Sequence, residues 1–320
     1  MDTQTKLLKQ LIASAPHYIS QQQLKQILNC STTEIVNQIK ALNALGHHID
    51  SRSTAGYRYL GDQLLETSIH QQLKPQFRGL KLHLFDQVSS TNQVAKQTAT
   101  QADNQVQVFI ANQQTAGYGR YQRPFVSPGQ TGIYLSILLP LQQPLTAIGC
   151  LTTAVATAVF RAIKQTTGIT TAIKWVNDLY YQQKKICGIL AETVTDATTQ
   201  NISHLVIGIG VNFMRSTAIP AHLKTKVGAL FTQIAPITRN QLIAAILNQF
   251  FVLYPTYPSG AFLTEYRQHS LLINRRVTLK LGDQNITGTV KTINNKGELV
   301  LATHNGLKNF NSGEVTKVYF

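Results

Sequence analysis

The chain has 320 residues, of which 43% are hydrophobic and only 13% charged; that is room for two or three cored domains and excludes a mostly disordered protein. Lys and Arg outnumber Asp and Glu by 29 to 14, a net charge of +15, so the composition favours an anionic partner: nucleic acid, nucleotide or acidic protein. Cys30, Cys150 and Cys187 stand in unrelated contexts without C-x-x-C spacing, which argues against a disulfide framework or a zinc site and suits a reducing cytoplasm. The start, with Asp2 and alternating Gln, Lys and Leu, does not read as a signal peptide, and the apolar run Leu145 to Phe160 is broken by threonines and too short to span a bilayer. A soluble, cytoplasmic protein with no membrane partner is expected.

Residues 1–63 read as three short helices and a hairpin. Leu7, Leu8, Leu11 and Ile12 form one apolar stripe. Ser20 caps a second helix predicted to bury Leu24, Ile27 and Leu28; Asn29 and Cys30 make a tight turn, and Ser31-Thr32-Thr33-Glu34 is a capping box for a third helix. That helix buries Ile35, Val36, Ile39, Leu42 and Leu45 and stops at Gly46, before a hairpin tipped by Ser51 to Gly56. This order is the winged helix-turn-helix layout, which would place the third helix in a major groove. It would offer Thr32, Thr33, Asn37 and Lys40 to DNA, with Arg52 and Arg58 on the wing. Six basic against four acidic residues leave this segment only +2, so binding would need two half-sites and a dimer.

Residues 64–270 alternate strand and helix signals, a mixed α/β domain with 16 basic and seven acidic residues. Expected strands run over 82–85, 106–111, 133–139, 172–176, 186–192 and 205–211, and expected helices follow Ser90 and cover 148–164, 238–254 and 262–269. Residues 271–320 alternate throughout, with turns at Gly282-Asp283, Asn294 to Gly297 and His304 to Gly306, and predict five short strands in a small SH3-like barrel.

Four segments of the central domain carry chemistry. The loop Gln114 to Pro124 combines Gly117 and Gly119, whose backbone can approach an anion, with Arg120 and Arg123. Lys174-Trp175-Val176-Asn177-Asp178 runs a strand into a turn where oxygen ligands could hold Mg²⁺. Lys185 precedes a buried strand that holds Gly188, and Gly208-Ile209-Gly210-Val211-Asn212 is a strand that permits close backbone approach. Each piece alone has an ordinary structural explanation; cations, a carboxylate and an amide recurring at strand ends of one sheet point to a site for anions.

With Ser90-Thr91-Asn92, these motifs resemble the bifunctional biotin protein ligases that also act as biotin operon repressors, and the resemblance spans essentially the whole chain. It implies a class II synthetase-like catalytic domain between the winged helix and the barrel, with biotin, ATP and Mg²⁺ as reactants. The biotin carboxylate would attack the α-phosphate of ATP, releasing pyrophosphate and forming biotinyl-5′-adenylate; a lysine of the biotin carboxyl carrier protein would then displace AMP. By resemblance, Arg120 and Lys185 contact the carboxylate and α-phosphate region, assisted by Arg123 and Lys174. Ser90, Thr91 and Gln114 would hydrogen-bond the ureido ring of biotin, helped by the backbone of Gly117. Asp178 would hold Mg²⁺ with the triphosphate, supported by Asn177, and Asn212 would face the nucleotide. Asn92, Tyr118, Gly119, Arg120, Trp175, Lys185, Gly188 and Gly210 would complete the site for biotin and ATP. The adenylate would order the glycine loop and favour a homodimer on operator DNA. The chain departs from the family's G-R-G-R-x-G-R-x-W pattern at Tyr118, Gln122 and Phe125, and Val176 stands where a proline is common. Tyr118 favours an alternative, a ligand-sensing regulator with weak or lost ligase activity.

Overall fold

The computed structural model describes residues 3–99, 105–141, 148–195, 201–232 and 235–319. Asp2 and the start of the apolar run, including Leu145 and Thr146, lie outside the described residues. Among the described residues no helix is long and apolar enough to cross a membrane, and the three cysteines are free thiols.

The N-terminal part forms as read. Helices α1 (Thr3–Ser14), α2 (Gln21–Leu28) and α3 (Thr32–Ala44) precede β1 (His47–Arg52) and β2 (Gly56–Asp62), an antiparallel pair. Its own core gathers Leu7, Leu11, Leu24, Ile35, Leu42 and Ile49. Ser31 caps α3 by accepting from the Glu34 N–H at 3.2 Å, but the reciprocal capping box forms at α2, between Ser20 and Gln23. Gly46 ends the α3 turn at φ +92°, a left-handed value that a glycine adopts without a Cβ clash. Ile27 departs from expectation: it is 52% exposed, because α2 turns only Leu24 fully inward.

The central sheet has seven strands in the order β3-β4-β5-β9-β8-β7-β6, built from β3 (Lys81–Val88), β4 (Gln107–Gln114), β5 (Gly132–Pro140), β6 (Ala172–Lys174), β7 (Asp178–Tyr181), β8 (Lys184–Thr195) and β9 (Ile202–Asn212). Only β3 and β4 run parallel; the remaining neighbours are antiparallel. Helices α4 (Glu66–Gln72), α6 (Ile148–Thr167), α7 (Arg239–Leu253) and α8 (Leu263–Gln268) pack into the main core, whereas α5 (Thr91–Ala99) covers the other face over Phe109, Leu138 and Val206. Strand β7 had no sequence signal: it has four residues, and its turn into β8 uses Gln182 and Gln183 at φ 48° and 62°, where a glycine or asparagine would mark a hairpin.

The last part is a five-stranded antiparallel sheet in the order β13-β12-β11-β10-β14: β10 (Arg276–Leu281), β11 (Gln284–Ile293), β12 (Leu299–Thr303), β13 (Gly306–Phe310) and β14 (Glu314–Tyr319). The strands are the five expected, but no pairing closes β13 onto β14 among the described residues. Its apolar face, with Val277, Leu299 and Leu301, continues the core of the central sheet.

The winged helix is attached by polar contacts instead. Arg239, first residue of α7, is 1% exposed. Its Nε donates to Asp62 Oδ1 and Oδ2 at 3.0 and 3.1 Å, its backbone N–H to Asp62 Oδ2 at 2.7 Å, and its Nη1 to Asn112 Oδ1 at 2.8 Å. The flanking Thr238 donates to the Leu45 carbonyl at 2.9 Å, and Asn240 Nδ2 donates to the Gln63 carbonyl at 2.8 Å. Removing one member of a buried ion pair leaves the other charge without compensation. Arg239→Met is therefore expected to lower unfolding stability by about 3–5 kcal/mol in urea titration, whereas Lys81→Met at an exposed strand start changes it by less than about 0.5 kcal/mol.

Candidate active site

A cleft of about 250 Å³ opens on the central sheet where β8 and β9 pass under the loop after β4. Its floor is made of glycine. A Cβ on Gly210 would come within 2.6 Å of the Phe125 ring, and one on Gly208 within 2.3 Å of Asn92 Oδ1. Gly188 has more room, with the Lys185 ammonium end 3.3 Å from such a Cβ.

One wall comes from the corner between β3 and α5. Ser90, Thr91 and Asn92 are buried there, and the parallel pairing of β3 with β4 brings Gln114 beside them. The Thr91 N–H and hydroxyl donate to Gln114 Oε1 at 2.8 and 3.1 Å, Gln114 Nε2 donates to Ser127 Oγ at 2.9 Å, and the Ser136 hydroxyl lies 2.7 Å from Thr91 Oγ1. These side chains thus present fixed donors and acceptors. Asn92 Nδ2 also donates to Glu192 Oε2 at 2.7 Å, an oxygen that accepts the Tyr118 hydroxyl at 2.9 Å, and Lys96 pairs with Glu192 Oε1 at 2.9 Å. Burial alone would raise the Glu192 carboxyl; the hydrogen bonds from Asn92, Lys96 and Tyr118 outweigh it and hold the group below its usual range.

The opposite wall is ionic. Lys185 Nζ lies 2.6 Å from Asp178 Oδ1, and Asn177 Nδ2 donates to the Ile189 carbonyl at 2.6 Å, which fixes the turn between β6 and β7. Arg120 and Arg123 line the mouth, with their guanidiniums bonded to the start of β14 and the residue before it: Arg120 Nη1 to the Gly313 carbonyl at 3.0 Å, Arg123 Nη2 to Glu314 Oε2 at 2.7 Å. The Arg123 hydrogen bond holds the Glu314 carboxyl below its usual range. Lys174 is pushed down by burial and by Lys185, against the pull of Asp178 and Glu314.

The cleft therefore collects Ser90, Thr91, Asn92, Gln114, Tyr118, Gly119, Arg120, Arg123, Asn177, Asp178, Lys185, Gly188 and Gly210. Other expected residues lie elsewhere. Trp175 is 3% exposed and spends its indole N–H on the Gly297 carbonyl at 2.9 Å, so it pins the C-terminal sheet instead of lining the cleft. Lys174 stands behind the wall, 5.7 Å from the Tyr180 ring centre. Gly117 lies on the outer side of the loop, against Ser127 and Gln114, and Asn212 lines an adjoining cavity that shares Tyr134 with the cleft.

Glu192, Lys96 and Glu314 escaped the sequence reading. Glu192 shares a strand face with Gly188 and Leu190, and that period of two was the available signal; nothing links Glu314 to the loop 191 residues earlier except the fold. In the loop itself Gln122 sits at φ 56°, a conformation that a glycine at this position takes freely. In α3 the side chains of Thr32, Thr33, Asn37 and Lys40 are exposed, and Arg52 and Arg58 stand on the wing.

As donors for a metal, the described residues include no group of three His, Cys, Asp or Glu side chains. Asp178 and Glu314 are the carboxylates that line the cleft, and Asp178 is the side chain that could hold an Mg²⁺ ion, which is commonly held by one or two carboxylates plus phosphate oxygens.

Residues 84–212 match the biotin/lipoate A/B protein ligase family, residues 3–58 an HTH domain and residues 272–318 the biotin protein ligase C-terminal domain. The chain is 30% identical over 306 residues to the bifunctional ligase/repressor BirA of Bacillus subtilis, covering 93% of both chains. The chain belongs to this ligase family. It is also 28% identical over 303 residues to BirA of Escherichia coli, covering 93% of this chain and 92% of that one. In three dimensions it resembles the biotin protein ligase of Aquifex aeolicus in complex with biotin and ATP, with a TM-score of 0.61 and 25% identity over 74% of this chain and 97% of that one.

The crowded floor of the ligase cleft yields a graded expectation. Gly210→Ala must displace the Phe125 ring and is expected to cost about 1–3 kcal/mol in urea unfolding. Gly188→Ala meets only a flexible lysine end and should cost less than about 1 kcal/mol.

Proposed function

We propose that this chain is a biotin protein ligase that also represses transcription through its winged helix, with biotin and Mg-ATP as substrates and a biotin carboxyl carrier protein as acceptor. We take residues 1–63 as the DNA-binding domain, 64–270 as the catalytic domain and 271–320 as an SH3-like barrel domain, working in the cytoplasm. The observation that carries the reading is the convergence of Gln114, Arg120, Asp178 and Lys185, from three separate segments, on one cleft.

The chemistry follows from the charges. A carboxylate must approach a triphosphate, and cations held in a partly buried cleft offset that repulsion and stabilise charge developing on the α-phosphate. Arg120 and Lys185, which both line the cleft, would do this. In the free chain Lys185 is paired with Asp178 and Arg123 with Glu314, so incoming anions exchange with carboxylates already there. Thr91 and Gln114 supply directional hydrogen bonds for a neutral ring, with Ser90 beside them. Asp178 would hold the Mg²⁺ that enters with the nucleotide, and Asn212 and the cavity beyond Tyr134 would take the nucleotide's far side. Attack of the carboxylate on the α-phosphate expels pyrophosphate; attack of the carrier lysine on the resulting mixed anhydride expels AMP. No covalent enzyme intermediate is needed.

Purified chain with biotin, Mg-ATP and an apo carrier domain is expected to biotinylate the carrier, read on a streptavidin blot, and Lys185→Ala or Arg120→Ala to slow this by about 10²–10³. ATP-independent or absent labelling would overturn the ligase reading.

For the repressor role, two winged helices each offering few phosphate contacts must be joined to reach useful affinity. Biotin plus ATP is expected to shift the chain from monomer to dimer in sedimentation at micromolar concentration. An unchanged monomer would exclude regulation through dimerisation.

A further inference from the structure

The wing carries a charge arrangement that phosphate binding alone does not explain. The guanidiniums of Arg52 and Arg58 lie over the Tyr18 ring, 5.2 and 4.7 Å from its centre. The Tyr18 hydroxyl donates to Asp50 Oδ2, an oxygen that also accepts from Arg58 Nη2 at 3.0 Å and lies 3.6 Å from Arg52 Nε. One carboxylate oxygen thus gathers a phenol and both wing arginines. The Tyr18 hydrogen bond and the two guanidiniums hold the Asp50 carboxyl below its usual range. Among the described residues before Leu64 the other acids are Glu34, at the start of α3, and Asp62, consumed by Arg239.

An acid between two arginines weakens the grip of a wing on any phosphate backbone, because it cancels one of two positive charges whatever the base sequence. It also fixes the direction of the Arg58 guanidinium, to which it is hydrogen-bonded, and this limits the entropy lost when that side chain docks. Discrimination is a difference between affinities, so lowering the sequence-independent term raises the share that base contacts by α3 contribute.

We propose that Asp50, held by Tyr18, is a specificity-determining residue of the DNA-binding surface: it orients Arg58 and cancels one of the two charges that Arg58 and Arg52 bring, so that the wing holds DNA firmly only where α3 also fits. The proposal rests on the DNA-binding reading given above and extends it to a residue that touches no base.

The test uses the full-length chain, with and without Asp50→Asn, on a mixed-sequence DNA duplex by fluorescence anisotropy over a salt series. Each additional phosphate neutralised steepens the dependence of log K on log salt by about 0.9. Asp50→Asn is therefore expected to steepen the slope by about that amount and to bind about eightfold tighter at 0.1 M salt. Tyr18→Phe breaks the same hydrogen bond without changing charge and should leave the slope as it is. Thermal melts followed by circular dichroism check the fold, and Asp50→Ala serves if the asparagine variant fails to hold its hairpin. Wild-type binding with a measurable slope, but no tighter binding by Asp50→Asn or Asp50→Ala, would overturn the role of Asp50 and leave the DNA-binding reading standing. An equal rise in slope for Tyr18→Phe would overturn the charge argument. No binding by wild type or variants at low salt would remove the DNA-binding reading and this inference together.

Discussion

The architecture turns on one buried cation. Arg239 has left water almost completely, and a guanidinium in that position must be matched by an anion and by acceptors for its remaining N–H groups. Asp62 at the end of β2 provides the charge, and Asn112 with the Gly132 carbonyl provides acceptors from β4 and β5. The winged helix has a separate apolar core, so this ion pair and the neighbouring bonds of Thr238 and Asn240 do what shared hydrophobic burial does for the C-terminal sheet. The same arginine reaches β5 close to the loop that borders the cleft. Reader and catalyst are therefore joined through directional polar contacts, which specify an orientation more sharply than apolar packing does.

The cleft follows a second constraint, that positive charge for binding anions must be stable before the anions arrive. Lys185 is paired with Asp178 and Arg123 with Glu314, while Arg120 rests on a backbone carbonyl. The C-terminal sheet contributes two of these partners, Gly313 and Glu314, and is itself held by the Trp175 indole and by Arg267 on the Ile293 carbonyl. Its contact with the loop after β4 makes that sheet part of the cleft's wall. Tyr118 joins through its hydroxyl to the Glu192 carboxylate, so the loop is tied to β8 by a hydrogen bond to a charged acceptor. Lys185 and Asp178 are neighbours on adjacent strands, whereas Arg123 on the loop and Glu314 on β14 come from distant parts of the chain, so that pair ties the loop to the C-terminal sheet.

Much was legible in the sequence because it was local. The apolar spacing of Leu7, Leu11, Ile35 and Leu42, the caps at Ser20 and Ser31 and the stop at Gly46 depend on neighbours within one or two turns, and they yielded the winged helix. Strands β3, β4, β5, β8 and β9 were visible as apolar runs between turns. Strand β7 was hidden by its four residues and by two left-handed glutamines in its turn, and Ile27 by a helix too short to bury a second apolar position. The motif residues announced an anion site, but the direction of each side chain was not in the motif: Trp175 turned to the C-terminal sheet and Lys174 to the space behind the wall.

By itself the sequence determined the order of the three parts, the family resemblance and the supply of cations, glycines and amides from which a site for anions can be made, since residue type and short-range spacing set those. Tertiary structure alone decided which charges meet. Arg239 finds Asp62 across 177 residues, Arg123 finds Glu314 across 191 and Glu192 finds Asn92 across 100. Pairings at such separations carry no periodic signature along the chain; they come about because burial in a common low-dielectric space makes an unmatched charge costly, and only the folded sheet defines that space.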